Sequence, residues 1–489
     1  MSADRYAALQ ALNFGEVDSE SEPDLTVRFL PTTDFAAFAG GRRVDLLLGP
    51  KGSGKSAVFQ LFARHQDYAR RLAGAGLSDV IIDTGTGFRD ITELSTTEIE
   101  SLRSEPEFDF ERLWFLYIAL KAAIGVGRAG IESKGVLREF LRQRALARDF
   151  RLLPIFKMFW RALMSASPPN TFKVTIRGNI VEIGTRKGEL DTLDLLEEVH
   201  ELVRAKGQRL WLLCDNLDEL YSSEPKTRIA ALNALFSAVN QIRGRFAAIE
   251  PKIFLRTDLW DDLEFNNKSH WVGKELELSW SRAQLLTLMI KRAVVPDPVA
   301  EALAEIVPKI ADRPRMEGVS LPECQALFYA IFENPVYRDA GGDTFEWMLS
   351  RSSDGKAEAL PRELITFGNE AAKGQRALGG PPNAALVGRT AIRDAYLQVS
   401  RIRCETFLSE FPELRDHFRR FRGKRSARFH REEVKRLMRG LTPSEDRAVE
   451  ALHEVGVIAP IDGHVSSARF FEVPLLYRHG LGLKLSGGR

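Results

Sequence analysis

The sequence predicts an α/β protein: a parallel sheet core interrupted by a large helical insertion, then a helical domain, then a small C-terminal domain of winged-helix-like order. Three observations carry this. An apolar strand, Arg43–Leu48, runs straight into the glycine-rich stretch Gly49-Pro50-Lys51-Gly52-Ser53-Gly54-Lys55-Ser56, and Val58, Leu61 and Phe62 then recur at helical spacing. Further short apolar runs stand at Asp79–Asp83, Arg209–Cys214 and Lys252–Leu255, separated by helical stretches, as buried parallel strands are. Beyond Gln284 the pattern is helical until the last forty residues, where a strand–turn–strand appears.

The glycine-rich stretch is G-x-x-x-x-G-K-S, a phosphate-binding loop. Its glycines let successive N–H groups turn inward on phosphate oxygens, and the following helix adds its positive N-terminal end. Lys55 is placed to reach the β- and γ-phosphates and Ser56 to take one position on Mg²⁺. The core is therefore read as a P-loop NTPase, with ATP and Mg²⁺ as its cofactors.

Composition sets the outer bounds. At 489 residues with 28% charged and 44% apolar side chains, the chain is ordinary for a globular protein of several domains. A net charge of +2 names no partner. Cys214, Cys324 and Cys404 are widely spaced with no ligand pattern, which points to a reducing compartment and no cysteine metal site. No signal peptide is visible, and the apolar stretch Leu113–Val126 is short and holds Lys121, so the expectation is a cytoplasmic protein with no membrane partner.

In chain order, Met1–Asp24 reads as a short helix and an acidic solvated loop. The insertion, about 94–190, includes helices at Phe110–Ala123 and Val136–Phe150 and a hairpin at Val174–Ile183 turning on Gly178-Asn179. It is expected as a subdomain on the edge of the core. After an amphipathic helix at Leu193–Val203, the run Arg-Leu-Trp-Leu-Leu-Cys ends in Asp215, whose carboxylate at a strand tip would organise the Mg²⁺ shell. Asn216 stands where many such sites carry a second acid, so Asp218 or Glu219 would orient the attacking water, or else simply cap the next helix. Arg256, at the tip of the Lys252–Leu255 strand, is a γ-phosphate sensor candidate or a surface arginine paired with Asp258 or Asp261. Pro361 opens a helix that carries Arg362, which would lean back over the nucleotide. Gln375–Val387, rich in Gly, Pro, Ala and Asn, reads as a linker.

The segment Arg415–Arg439 carries eleven Lys and Arg against three Asp and Glu, a net of +8, with Phe418, Phe421 and Phe429 interleaved. It is either a contact for duplex DNA through Arg419, Arg420, Arg422, Lys424 and Arg425 or a solvated helix face. Thr442-Pro443-Ser444-Glu445 reads as a capping box with proline at the first helical position. The expected divisions are a lead-in segment at 1–40, the core at 41–285, a helical lid at 286–385 and the winged-helix-like domain at 386–489.

Together, the loop motif, Leu-Leu-Cys-Asp215-Asn-Leu-Asp218-Glu219-Leu, Phe-Leu-Arg256-Thr-Asp258-Leu-Trp260, Pro361-Arg362-Glu-Leu and Phe471-Glu-Val-Pro-Leu-Leu-Tyr477-Arg478 resemble a bacterial P-loop ATPase of the STAND/AAA+ type with a C-terminal winged-helix-like domain. NACHT-like and origin-recognition-ATPase-like features are both present. The resemblance implies ATP hydrolysis used as a conformational or assembly switch, in a bacterial stress or antiphage-defence setting. It also implies a homo-oligomer or partner protein, Arg256 as first sensor and Arg362 as second. The alternative is a DNA-binding initiator- or loader-like ATPase gripping duplex DNA. A GTPase is disfavoured, because Arg-Thr-Asp-Leu stands where a guanine-reading motif would follow the Arg256 strand.

Overall fold

The computed structural model describes residues 2–40, 44–87, 109–133, 171–176, 179–184, 192–217, 224–312, 315–338 and 341–483, with isolated positions between 135 and 141. The chain divides into two compact units. One comprises Thr33–Pro50 and Val58–Leu278; the other comprises Met1–Thr32, Lys51–Ala57 and Ser279–Arg489.

The first unit is built on a five-stranded sheet. Its strands are β1 (Leu46–Gly49), β2 (Val80–Gly85), β5 (Arg209–Cys214), β6 (Ile249–Arg256) and β7 (Glu275–Glu277), in the order β2-β5-β6-β1-β7. Every neighbouring pair is parallel. The separate hairpin consists of β3 (Thr171–Ile176) and β4 (Asn179–Gly184), and its register Ile176↔Asn179 closes it one residue earlier than the sequence suggests.

Burial on both faces explains why these strands are near-continuous apolar runs. On one face Leu46, Leu48, Leu210, Leu212, Ile253 and Leu255 pack with the helices Phe110–Arg128, Thr192–Ala205 and Pro225–Arg245. On the other, Trp211 and Phe254 meet Phe38, and Phe59 and Phe62 of the helix after the phosphate loop join the same aromatic layer. The helix Phe110–Arg128, expected in an edge subdomain, instead lies in the main core layer. Its buried Lys121 is held there by Asp83 of β2, Nζ to Oδ2 at 3.0 Å. The expected helix at Val136–Phe150 falls almost wholly outside the described residues.

The second unit has one continuous apolar core. It runs from Ala8, Leu9 and Phe14 of the N-terminal segment, through the helices Arg282–Ala293 and Pro361–Ala377, to Phe471 and Tyr477 near the C-terminus. Two expectations are refined here. The acidic stretch before Asp24 is largely exposed, as expected, with one exception: Glu22 is buried, 3.3 Å from Arg28 Nε and bonded to Arg292 Nη2 at 2.9 Å. A buried carboxylate needs such partners, and they tie the N-terminal segment to the helix Arg282–Ala293. Burial pulls the Arg292 guanidinium down to about 10 despite Glu22 beside it.

The glycine-rich linker is likewise no free tether. Its end is buried at Ala385, Leu386 and Val387. Leu386 N donates to Ala330 O at 3.0 Å, Val387 N to Ile331 O at 2.7 Å, and Glu333 N to Val387 O at 2.9 Å. Gly and Pro supply the turn after Ala377, while the three apolar residues that follow supply the anchor.

The C-terminal part follows the winged-helix-like order: helix Arg415–Arg419, β8 (Arg428–His430), helices Arg431–Met438 and Glu445–Glu454, then β9 (Ala459–Pro460) and β10 (Phe470–Glu472). The antiparallel sheet has the order β8-β10-β9. Phe429 and Phe471 are buried on one face of this sheet, while His430 and Phe470 pair on the other, outer face. The capping expectation is also corrected: Ser444, not Thr442, is the N-cap, no side-chain cap bond forms, and Pro443 precedes the cap. Among the described residues no helix is long and apolar enough to cross a membrane, and the three cysteines are buried and free.

Candidate nucleotide site

The strand order fixes which tips are neighbours. Gly49, where β1 ends and the phosphate loop begins, pairs in register with Arg256 at the end of β6. Cys214, the last residue of β5, pairs with Ile253 of the same strand. The loop strand, Arg256 and Asp215 therefore occur along one carboxyl edge, where ligands of parallel α/β sheets collect. Asp215 is buried, and its backbone N–H donates to Gly85 O at 3.0 Å, extending the β2–β5 ladder by one bond.

The next residue accounts for the missing second acid. Asn216 has φ +57°, in the left-handed region, which Asn tolerates and Glu does not without strain. Asp218 and Glu219 lie outside the described residues. Arg256 is bound in a fork by Asp258, Nε to Oδ1 at 3.0 Å and Nη2 to Oδ2 at 2.5 Å. Arg256 is itself buried.

The second unit holds the loop residues Lys51–Ala57 themselves. Gly52 and Gly54 have φ +96° and +99°, so the loop takes the backbone turns its glycines allow. Trp280, just ahead of the helix Arg282–Ala293, donates its indole N–H to Ser53 O at 2.8 Å. Ser53 is fully buried, and its Oγ has no hydrogen-bond partner among the described residues. An orphaned buried hydroxyl in a glycine cradle fits a loop shaped for an anion. Lys55 is buried at the start of its helix.

Arg362 reaches this loop. It sits in the first turn of Pro361–Ala377, with Pro361 at the helix start as the sequence indicates. A Cβ built on Gly52 would lie 3.1 Å from Arg362 Cβ and 3.5 Å from its Nε, so arginine and loop are in contact. Arg362 Nη1 donates to Glu410 Oε1 at 2.5 Å, and the loop's Lys51 Nζ lies 3.4 Å from the same oxygen. The other oxygen, Oε2, accepts from Arg403 Nη1 at 2.8 Å, and Arg403 Nε lies 3.6 Å from Glu363 Oε1. Burial alone would raise the Glu410 carboxyl, but Arg403, Arg362 and Lys51 together hold it down to about 2. Glu363, buried with fewer partners, is pushed up.

Sequence reasoning pointed to the loop, Asp215 and Arg362, and did not single out Glu410, Arg403 or Trp280, which the fold gathers around the loop residues and Arg362. Glu410 and Arg403 look like ordinary members of an amphipathic helix. Trp280 had a faint signal, since it directly precedes the Ser281/Gln284 capping box.

The nucleic-acid candidates lie elsewhere in the second unit. Arg419, the last residue of the helix Arg415–Arg419, is exposed, as are Arg420, Arg422 and Arg425 in the turn leading to β8, where Lys424 is half-buried. Arg419 is partnered by Asp416 at 3.4 Å. The next helices reduce the basic surplus: Lys435 is bonded by Asp446 at 2.5 Å, and Arg439 lies 3.6 Å from Glu445. The helix Glu445–Glu454 is itself acidic, carrying Glu445, Asp446, Glu450 and Glu454 against Arg447.

No protein-family model and no curated protein matches the chain. Among solved structures it is similar to the Aeropyrum pernix ORC2 protein in its ADPNP–ADP complexes, at 12% identity and a TM-score of 0.35, over 90% of this chain and 88% of that one. The ADP form of the same protein is similar at 12% identity and a TM-score of 0.30, over 89% and 84%. These likenesses are remote, and the P-loop fold follows from the strand order and the loop alone.

Proposed function

We propose that the protein is a Mg²⁺-dependent P-loop ATPase that uses ATP binding and hydrolysis as a conformational or assembly switch. The observation that carries this is the shared carboxyl edge of β1, β5 and β6, from which the loop strand, Asp215 and Arg256 all emerge. Lys55 would bind the β- and γ-phosphates, and Ser56 and Asp215 would hold Mg²⁺. The metal, when bound, neutralises charge that builds on the phosphates. Asp218 or Glu219 would orient the attacking water. Arg256, once released from Asp258, and Arg362 would report the γ-phosphate. A homo-oligomer or partner protein would read out the switch, and the stress or defence setting is carried over from the sequence resemblance alone.

The test is ATP turnover by the purified protein, with competition by GTP. Lys55→Ala should lower both affinity and turnover, while Asp218→Ala or Glu219→Ala should keep binding and slow hydrolysis. Unchanged turnover in both carboxylate variants would refute their assignment to the water.

A second reading is favoured by the exposed arginines of the Arg415–β8 turn: a DNA-binding, initiator-like ATPase. Contact would come from Arg419, Arg420, Arg422, Lys424 and Arg425 on backbone phosphates, because the acidic helix Glu445–Glu454 repels them. Turnover stimulated by duplex DNA at low salt and lost at high salt would favour it. Indifference to DNA at both salts would remove it.

A further inference from the structure

Three cations converge on one carboxylate beside the phosphate loop. Glu410 is the last residue of the 22-residue helix Arg389–Glu410, and its side chain is 3% exposed. One oxygen is shared by Arg362 and Lys51; the other belongs to Arg403. Arg403 is anchored in turn by Glu363, one residue beyond Arg362 on the lid helix. Glu410 is thus fixed by its helix and by Arg403, while Arg362 has a long side chain whose direction at the loop is set by the bond to Glu410.

The charge count adds a second observation. Lys51, Arg362 and Arg403 bring three positive charges, against at most two negative ones from Glu410 and Glu363. Cationic charge is left over next to a loop shaped for phosphate, and the Arg362 side chain is 26% exposed, whereas Glu410 is not. An additional phosphoryl group would find a donor there already aimed, without the cost of ordering a free arginine.

We propose that Glu410 is the positioning residue that holds Arg362 against the phosphate loop, and that it thereby sets the preference of the site for a nucleoside triphosphate over a diphosphate. This rests on the nucleotide-binding reading above. Glu410 touches no phosphate itself; it acts through Arg362, which it ties directly to the helix Arg389–Glu410 leading into the winged-helix-like part, while Arg403 of that same helix makes a second tie to Glu363.

The experiment is equilibrium binding of two fluorescent probes to the full-length protein with Mg²⁺: methylanthraniloyl-ADP and a non-hydrolysable methylanthraniloyl-ATP analogue. The wild type is compared with Glu410→Gln, Arg362→Ala and the double variant. Losing one charge-assisted hydrogen bond predicts that Glu410→Gln lowers the triphosphate-to-diphosphate preference about tenfold. Arg362→Ala should lower it equally, the double variant no further, and diphosphate affinity should stay near that of the wild type. Glu410→Asp, which keeps the charge, should retain part of the preference and guards against a variant that does not fold.

An unchanged preference in Glu410→Gln, with only stability reduced, would overturn the proposal by making the residue purely structural. A raised preference would overturn it too, since Glu410 would then be withholding Arg362 from phosphate. A wild type that binds neither probe, like Lys55→Ala, would overturn the nucleotide reading itself; the two failures are told apart by the wild-type measurement.

Discussion

Replacing Glu410 by Gln should change how the protein responds to acid. The Glu410 carboxyl sits at about 2 in the folded chain against an ordinary 4.5, because Arg403, Arg362 and Lys51 outweigh its burial. A folded value below the unfolded one stabilises the native state above the unfolded value, and that stability is lost as pH falls through the folded one. The shift corresponds to about 3 kcal/mol at neutral pH and to roughly 1.4 kcal/mol at pH 3. Glutamine matches the shape and cannot ionise, so the wild type should exceed the variant by a margin that is flat above about pH 5 and shrinks steadily below about pH 4.5. Glu363, pushed up by burial, has the opposite linkage, but it is present in both proteins and cancels to first order. Urea unfolding of both proteins between pH 3 and pH 7 reads the margin directly. A margin that stays constant down to pH 3 would refute the reasoning, because the carboxylate would then not be held by its three cations.

Two further outcomes follow from the first unit. Lys252, 1% exposed, is bonded to Asp45 Oδ1 at 3.0 Å, Glu250 Oε2 at 2.9 Å and Val44 O at 2.9 Å, so Lys252→Met should cost about 3–5 kcal/mol in urea unfolding; a loss below about 1 kcal/mol would mean that the carboxylates find other partners. Asn216→Gly should be neutral within a few tenths of a kcal/mol, while Asn216→Glu should cost about 1 kcal/mol at φ +57°, and equal stability of the two would remove the backbone explanation for the absent second acid.

What the sequence made legible is what it writes locally. The phosphate loop is eight consecutive residues, and β5 ends where its apolar run ends, so both were read with their bounds nearly correct. The strand order was not readable, since β1 finds its neighbours in strands more than two hundred residues away. Glu22 failed for the same reason: in an acidic run it looks solvated, and its partner Arg292 is 270 positions on. The strand β8 was missed because three residues in a basic segment carry too little pattern. For Arg256 the sequence offered a phosphate or one of two acids, Asp258 and Asp261, and only geometry shows that Asp258 grips it. Glu410 carried no signal, because only Arg403 is near it on its own helix, while Arg362 and Lys51 come from separate stretches of chain that folding brings together.

The anchored connector changes where this protein can be cut. Gly379 and Gly380 invite a division between a fragment with the phosphate loop and a C-terminal fragment, yet Leu386 and Val387, just beyond them, are bonded to Ala330 and Ile331. A fragment ending at Gly380 would leave those two backbone groups and the apolar side chains around them facing water. It would also shed Glu410 and Arg403, so the severed piece would keep its glycine loop while losing the carboxylate that steadies Arg362 beside it. The described residues 381–483 are, in this sense, part of the scaffold around Arg362 and the glycine loop rather than a passenger domain.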